Sequence, residues 1–336
     1  MEERRVGIRH KGVRIAALLA IGLVSSTFVP AVERPLPMQP SETVMTVAPI
    51  ALDDGDPSVR NAGALQFLEV WWLRSRDIRF GGLSAMHIED GAVTAISDAG
   101  DLFRFPLPGL GTRTLPLRIE RLIDGPGSGR RKSDRDSESM VIAGDHAWIA
   151  FESANSVWRY SRTSGRAEAS ARPEPMRRWP SMRGAEAMLR LADGRFLVLA
   201  EGPVGDDGST PVLLFAGDPA EEGTSAEALR YRPPEGFRAT DAAALPDGRI
   251  LILNRRFYWT EGVSAAVTMV DRRALRPGAM LEGREIARLD GDLTVDNMEA
   301  LSITREGART IVWIASDDNF NPLFQRTLLM KFALAE

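Results

Sequence analysis

Five pairs of positions in this chain hold the residue types that bind a hard cation and assist ester chemistry. Glu138 recurs with Glu152, Glu186 with Glu201 and Glu299 with Asp317, while Asp241 is followed by Asn254 and Ser84 by Asp98. Carboxylates brought together repel one another unless a cation or an arginine sits among them. Oxygen-only ligands in such number suit calcium, which takes about six to eight. A metal of that kind polarises a phosphoryl or carbonyl oxygen and orients water, and a neighbouring carboxylate serves as base. Arg255 and Arg256 offer the fork geometry that clamps phosphate.

These residues need elements that deliver them to one place. The leading positions 84, 138, 186, 241 and 299 are separated by 54, 48, 55 and 58 residues, near the period of propeller blades built from several short strands. Within a pair the spacings are 14, 14, 15, 13 and 18 residues, enough for two strands of about five or six residues and a turn. In an antiparallel hairpin the start of the first strand lies beside the end of the second, so all ten positions fall on one rim. Hairpin chemistry is present at Asp90-Gly91, Asp193-Gly194 and Asp247-Gly248, dipeptides that favour tight turns. The inner strands are apolar on both faces, as in Ile250-Leu251-Ile252-Leu253, which suits sheets packed between neighbours. The expected fold is therefore all-β: a propeller with five repeats visible, which strand counting makes five blades. Leu65–Leu73 is expected to pair near Leu328–Phe332 and close the ring.

Residues 1–31 read as an export signal, with Arg4, Arg5, Arg9, Lys11 and Arg14 ahead of an uncharged run from Ile15 to Val29 and a small-residue exit at Ala31. An uncleaved membrane anchor is the alternative for that segment, although the run is short against the about 20 residues a spanning helix needs. Residues 32–42 are a proline-rich linker and 43–336 the propeller domain, placed in the periplasm or outside the cell. The whole chain carries a net charge of −4; without residues 1–31, 37 basic side chains face 44 acidic ones, or −7. Binding to nucleic acid or an anionic membrane by general electrostatics is not expected at that sign. A monomer is expected.

Other chemistries lack parts. There is no cysteine, which removes disulfides and thiolate sites, and His10, His87 and His146 are the only histidines. Ser84 has no candidate base, so a Ser-His-Asp hydrolase is hard to build. Asp53, Asp54 and Asp56 read as a solvated turn, since no glutamate closes the loop as a calcium loop requires. The glycine-rich stretch Gly125–Lys132 lacks the Gly-Lys-Ser/Thr of a phosphate loop and reads as a mobile surface loop on the rim side. Trp71, Trp72, Trp148, Trp158 and Trp313 fall in strands and read as packing between blades.

The order Phe80-Gly81-Gly82-Leu83-Ser84, Ser97-Asp98-Ala99-Gly100, Gly184-Ala185-Glu186-Ala187-Met188, Asn254-Arg255-Arg256-Phe257, Asn297-Met298-Glu299-Ala300-Leu301 and Ser316-Asp317-Asp318-Asn319-Phe320 resembles the bacterial "esterase-like activity of phytase" family, the phytase-like domain proteins. The resemblance runs from about Phe80 to the C-terminus. It implies an exported propeller related to phosphoesterases, with calcium as the metal, and it leans to six blades in place of five, with Thr43–Leu52 contributing to the extra one. Ser84 and Asn254 depart from the acids that many members carry. No dense basic pocket for a polyphosphate such as phytate is visible.

For the reaction we assign Glu186, Glu299, Asp241 and Arg255, and for the metal Asp98, Glu138, Glu152, Glu201 and Asp317. The substrate expected is a small-molecule ester or phosphoester. The other reading is a non-catalytic propeller that binds a ligand or protein partner at the same face, because acids at strand ends can also simply hold loop amides.

Overall fold

The computed structural model describes residues 39–128, 131–202 and 207–335. The expected export signal and most of the linker lie outside the described residues.

Before the first repeat come β1 (Ser41–Pro49), β2 (Asn61–Ala62) and β3 (Leu65–Ser75). Blade 1 is β4 (Leu83–Glu89), β5 (Ala92–Ser97), β6 (Asp101–Pro106) and β7 (Thr114–Arg121). Blade 2 is β8 (Ser137–Ala143), β9 (His146–Phe151), β10 (Ser156–Ser161) and β11 (Ala167–Ala171). Blade 3 is β12 (Ala185–Arg190), β13 (Phe196–Ala200), β14 (Thr210–Phe215) and β15 (Ala226–Arg232). Blade 4 starts with β16 (Arg238–Ala244), β17 (Ile250–Tyr258) and β18 (Gly262–Val270); after them β19 (Met280–Glu282) runs parallel to β15, and β20 (Arg284–Leu289) completes the blade. Blade 5 is β21 (Asn297–Glu306), β22 (Arg309–Asp317) and β23 (Thr327–Leu334), with β3 as its outer strand. The inner strands β4, β8, β12, β16 and β21 touch in a closed cycle, so the described residues form a five-bladed ring.

Closure follows the expectation for β3, whose Trp71 lies opposite Leu329 of β23. The sixth blade does not form. Instead β1 lies between β3 and β7, with Val47 opposite Leu73 and Thr43 opposite Leu117. It joins the outer edges of blades 5 and 1 into one sheet, which covers two edges that would otherwise offer unpaired backbone groups.

The core is divided among the blade contacts, as alternating apolar faces dictate. One apolar cluster fills each of the five interfaces: Leu329, Trp313 and Phe103 between blades 5 and 1, and Ile96, Ile149 and Phe151 between blades 1 and 2. Met188 with Trp148, Leu199 with Ile252, and Leu253 with Leu301 occupy the others. Trp71 stacks on Trp313 at 6.4 Å and Trp148 meets Phe196 at 5.1 Å, so these indoles are packing residues. A buried leucine contributes about 1.5–3 kcal/mol, which makes each interface a stiff support for the rim above it. The turns also form as expected. Asp90 and Gly91 both take positive φ in a two-residue turn, whereas Gly194 and Gly248 close three-residue loops.

Candidate functional site

All five inner strands carry a β-bulge at the same place. The register skips Ser84, Glu138, Glu186, Thr240 and Glu299. A bulge bends the strand and re-aims the extra residue's side chain, and here it is repeated around the ring. Two of the five are hydroxyls that tie one blade to the next: Ser84 donates to the Ser137 carbonyl at 2.6 Å and Thr240 to the Met298 carbonyl at 3.0 Å. Ser84 therefore serves as an inter-blade tie, in keeping with its missing base.

The second set follows from strand pairing. Residues 97, 151, 200, 254 and 316 lie opposite the residue before each bulge. The next residue along, Asp98, Glu152, Glu201, Arg255 and Asp317, reaches the rim. In blade 4 the sequence expectation is one residue out of register. Thr240, not Asp241, is the counterpart of Glu138, Glu186 and Glu299, and Arg255, not Asn254, is the counterpart of the second acids. Asp241 instead accepts the backbone N–H groups of Leu301 (2.7 Å) and Ala242 (2.8 Å), joining the inner strands of blades 4 and 5. Asn254 is fully buried between blades 3 and 4, where it accepts from the Tyr231 hydroxyl at 2.9 Å.

The remaining acids converge. Burial raises the carboxyls of Glu138 and Glu186 well above their ordinary range, and each is raised further by the other acids of the ring: Glu138 by Glu186 and Asp136, Glu186 by Glu201 and Glu299. Burial and the neighbouring Asp98 and Glu299 do the same for Asp317. Glu152 is pushed up to about 8, by burial first and then by Asp136 and Glu201. Glu299 is pushed up to about 7 by burial, against the opposing pull of Arg255.

Three cations reach the ring, Arg255 and Arg238 from blade 4 and Lys132 from the loop before blade 2; Arg238 pairs with Glu201 at 3.2 Å. Arg255 Nε lies 2.9 Å from Glu299 Oε1. Lys132, from the glycine-rich loop, places Nζ 2.6 Å from Asp98 and 3.9 Å from Asp136; its partners raise its own pKa against the effect of burial. That loop is thus tied to the ring by its lysine. Arg256 points away from Glu299 because successive strand residues face opposite sides; its guanidinium lies 4.7 Å from the Phe237 ring and 4.7 Å from the Tyr258 ring. The two arginines therefore do not form a joint clamp.

On blades 2 and 3 the second-position acids are engaged, Glu201 by Arg238 and Glu152 by the Gly184 N–H at 3.4 Å, whereas the bulge acids are not. Neither Glu138 nor Glu186 has a hydrogen bond among the described residues. Ligand oxygens of Asp136, Glu138 and Glu152 lie within 4.8 Å of one another. Asp98 Oδ1 is buried without a hydrogen-bond partner among the described residues. An all-oxygen set with unsatisfied carboxylates fits a hard divalent cation. Asp136 was not among the expected ligands; its signal is its place two residues before Glu138, where blades 1 and 3 hold Gly82 and Gly184. Glycine is required at 184, since a Cβ there would stand 2.4 Å from the Glu152 carbonyl oxygen. The loop acids Asp53 and Asp56 spend their oxygens on turn amides, with Gly55 N donating to Asp53 at 2.7 Å and Ser58 N to Asp56 at 2.9 Å.

The family model "Phytase-like: Esterase-like activity of phytase" matches residues 78–320. The chain belongs to this family. All ten rim positions of this phytase-like chain, from Ser84 to Asp317, fall inside the matched segment. No curated protein matches the chain. Among solved structures it is similar to glutaminyl cyclase of Myxococcus xanthus, at 10% identity over 89% of this chain and 99% of that one, with a TM-score of 0.44. It is similar to the RS223 β-xylosidase at 12% identity, over 80% and 94% of the two chains, with a TM-score of 0.45. The Cps50 (Swd1) β-propeller domain of Myceliophteria thermophila aligns at 8% identity over 87% and 99%, with a TM-score of 0.38.

Proposed function

We propose that the rim is the site of a calcium-dependent hydrolase of phosphate or carboxylic esters, carried by an exported, monomeric propeller. The observation that carries this reading is the set Asp136, Glu138 and Glu152, three ligand groups within 4.8 Å beside the unpartnered Glu186. These four, with Glu201 at the neighbouring second position, would hold the ion. The ion would supply charge and Lewis-acid polarisation of the ester oxygen.

The chain's own residues would do the rest. Glu299, with a pKa of about 7, changes protonation near neutrality, where a general base works best. Arg255, 2.9 Å from it, orients that carboxylate and presents a charged donor to an anionic ester oxygen. Asp98 and Asp317 complete the negative wall. Asp241 is held in the fold by two amides and has no part in this reading. Export is supported by the basic-then-apolar order of residues 1–31. Among the described residues no helix is long and apolar enough to cross a membrane.

The test is turnover of a chromogenic phosphate monoester and a chromogenic carboxylic ester after chelation and after calcium is restored. Restored turnover that disappears in the double variant Glu186→Gln, Glu299→Gln supports the reading. Calcium-dependent stability without any turnover would establish the binding-only alternative.

A further inference from the structure

Among the described residues, exposed large apolar side chains gather in the loops on the rim side: Met182, Leu323, Phe324 and the run Phe257, Tyr258 and Trp259. The last three stand out in construction. β17 and β18 continue past the rim as a paired ladder, Arg256 opposite Ser264, Phe257 opposite Val263 and Tyr258 opposite Gly262. The second strands of blades 1, 2 and 3 stop at Ser97, Phe151 and Ala200, and that of blade 5 stops at Asp317.

The tip is braced from below. Arg256 lies between Phe237 and Tyr258 and pairs with Glu261 at 2.7 Å. Phe257 and Trp259 meet edge to face at 5.4 Å, yet stay 47% and 66% exposed. Leu251 and Leu253 of the same strand pack toward blade 5, and Arg255 reaches Glu299 of blade 5. By the two-residue period, Phe257 shares that face and stands about 7 Å beyond Arg255. An edge-to-face pair of aromatic rings thus stands beyond Arg255 at the end of the same strand. Aromatic surface left in water in this way marks a place that meets another molecule.

We propose that Phe257 and Trp259 form the apolar wall of the substrate site, so that the ester hydrolysed carries an aryl or long acyl group seated against this hairpin while its ester oxygen lies at Arg255. The proposal rests on the hydrolase reading above. Its continuity with the rim is what selects a substrate group over a separate partner: Phe257 is two residues from Arg255 on one strand face, and Trp259, just past the strand's end, packs against Phe257.

The experiment compares kcat/KM for 1-naphthyl phosphate and methyl phosphate, in calcium, for the parent, Phe257→Ser, Trp259→Ser and, as a control on the opposite face, the exposed Leu110→Ser. The naphthyl-to-methyl ratio is expected to fall about tenfold in each aromatic variant, through KM, as loss of an apolar contact does, and to stay at the parental value in Leu110→Ser. A second arm measures binding of 1-naphthylphosphonate and methylphosphonate by calorimetry, which needs no turnover. Tighter naphthylphosphonate binding that Phe257→Ser abolishes, with no ester hydrolysed, would keep the wall and remove the hydrolase. Equal ratios in all four proteins, with turnover intact, would overturn the wall and keep the hydrolase. A change confined to sedimentation, from dimer to monomer, would also overturn it and assign the tip to self-association.

Discussion

Blades 2 and 3 meet the central opening with Glu138 and Glu186, which no described donor satisfies, whereas blade 4 meets it with a hydroxyl at the matching position and a guanidinium. The backbone is the same on both sides: one bulge per inner strand and one residue at the end of the next. Only the side chains differ. On blade 4, Thr240 bonds a carbonyl of blade 5 and Arg255 pairs with Glu299, so that side is finished by the protein itself. On blades 2 and 3, burial and neighbouring acids raise Glu138 and Glu186, with Glu186 acting on Glu138 and Glu201 on Glu186, and neither has a donor, so under the proposed function that side is the one a cation would complete. Equivalent positions of one ring are thus left open on blades 2 and 3 and neutralised by the protein itself on blade 4, through the side chains at two places.

The largest effect expected from this asymmetry is on metal dependence. The pair Glu138→Gln and Glu186→Gln should abolish the calcium-dependent rise in Tm and lower ester turnover by about 100-fold or more, the scale of losing one charge-stabilising group. Glu299→Gln should lower turnover but leave the Tm response, since its carboxylate is already paired. Calorimetry at several calcium concentrations checks both, and a Tm response lost only in Glu299→Gln would reverse the assignment of the two sides.

Next in size is a pH effect confined to the chelated protein. A carboxyl with a raised folded-state pKa holds its proton more tightly folded than unfolded. The stability it lends is fully present below its unfolded value of about 4.5 and is lost as the pH rises through the folded values, about 7 for Glu299 and about 8 for Glu152. The chelated protein should therefore melt about 5–10 °C lower at pH 9 than at pH 5, given how Tm follows stability. Saturating calcium should remove most of that slope, and a slope that survives calcium would place the strained acids away from the metal.

Arg255→Met removes the cation that pairs with Glu299. It should cost about 3 kcal/mol above pH 7, the scale of breaking a largely buried ion pair, as read by denaturant unfolding, with the larger loss at higher pH. The smallest effect belongs to the ties. Thr240→Val and Ser84→Ala should each cost about 1 kcal/mol and leave the calcium response intact; a lost calcium response in either would show that the hydroxyls belong to the metal side.

Four of the five hairpins were legible in the sequence because each carries at least one acid at its rim position, and the repeat period then located the fifth. Blade 4 misled because Asp241 and Asn254 sit one residue from the true positions, and an acid beside a repeat position reads as the repeat itself. The spacing held the correction: Thr240 to Arg255 is 15 residues, equal to Glu186 to Glu201. The bulges were not legible, since a bulge is a property of two strands together and leaves no residue type of its own here. Lys132 could not be placed either, because the sequence of its loop shows composition and not reach. The same limit applies to β1, where alternating apolar residues announce a strand but not which sheet will take it.

The position of β1 also sets an order of events during synthesis. Its partner β7 emerges shortly after it, so Thr43 and Leu117 can pair while the later blades are still unmade. That hairpin-like assembly holds β3 alongside β1 as a waiting template. Thr327–Leu334 is made last, and the strand it pairs with, β3, can by then have an edge in place beside β1. The cost of joining segments some 260 residues apart in sequence falls on one late docking step instead of a search by two loose ends.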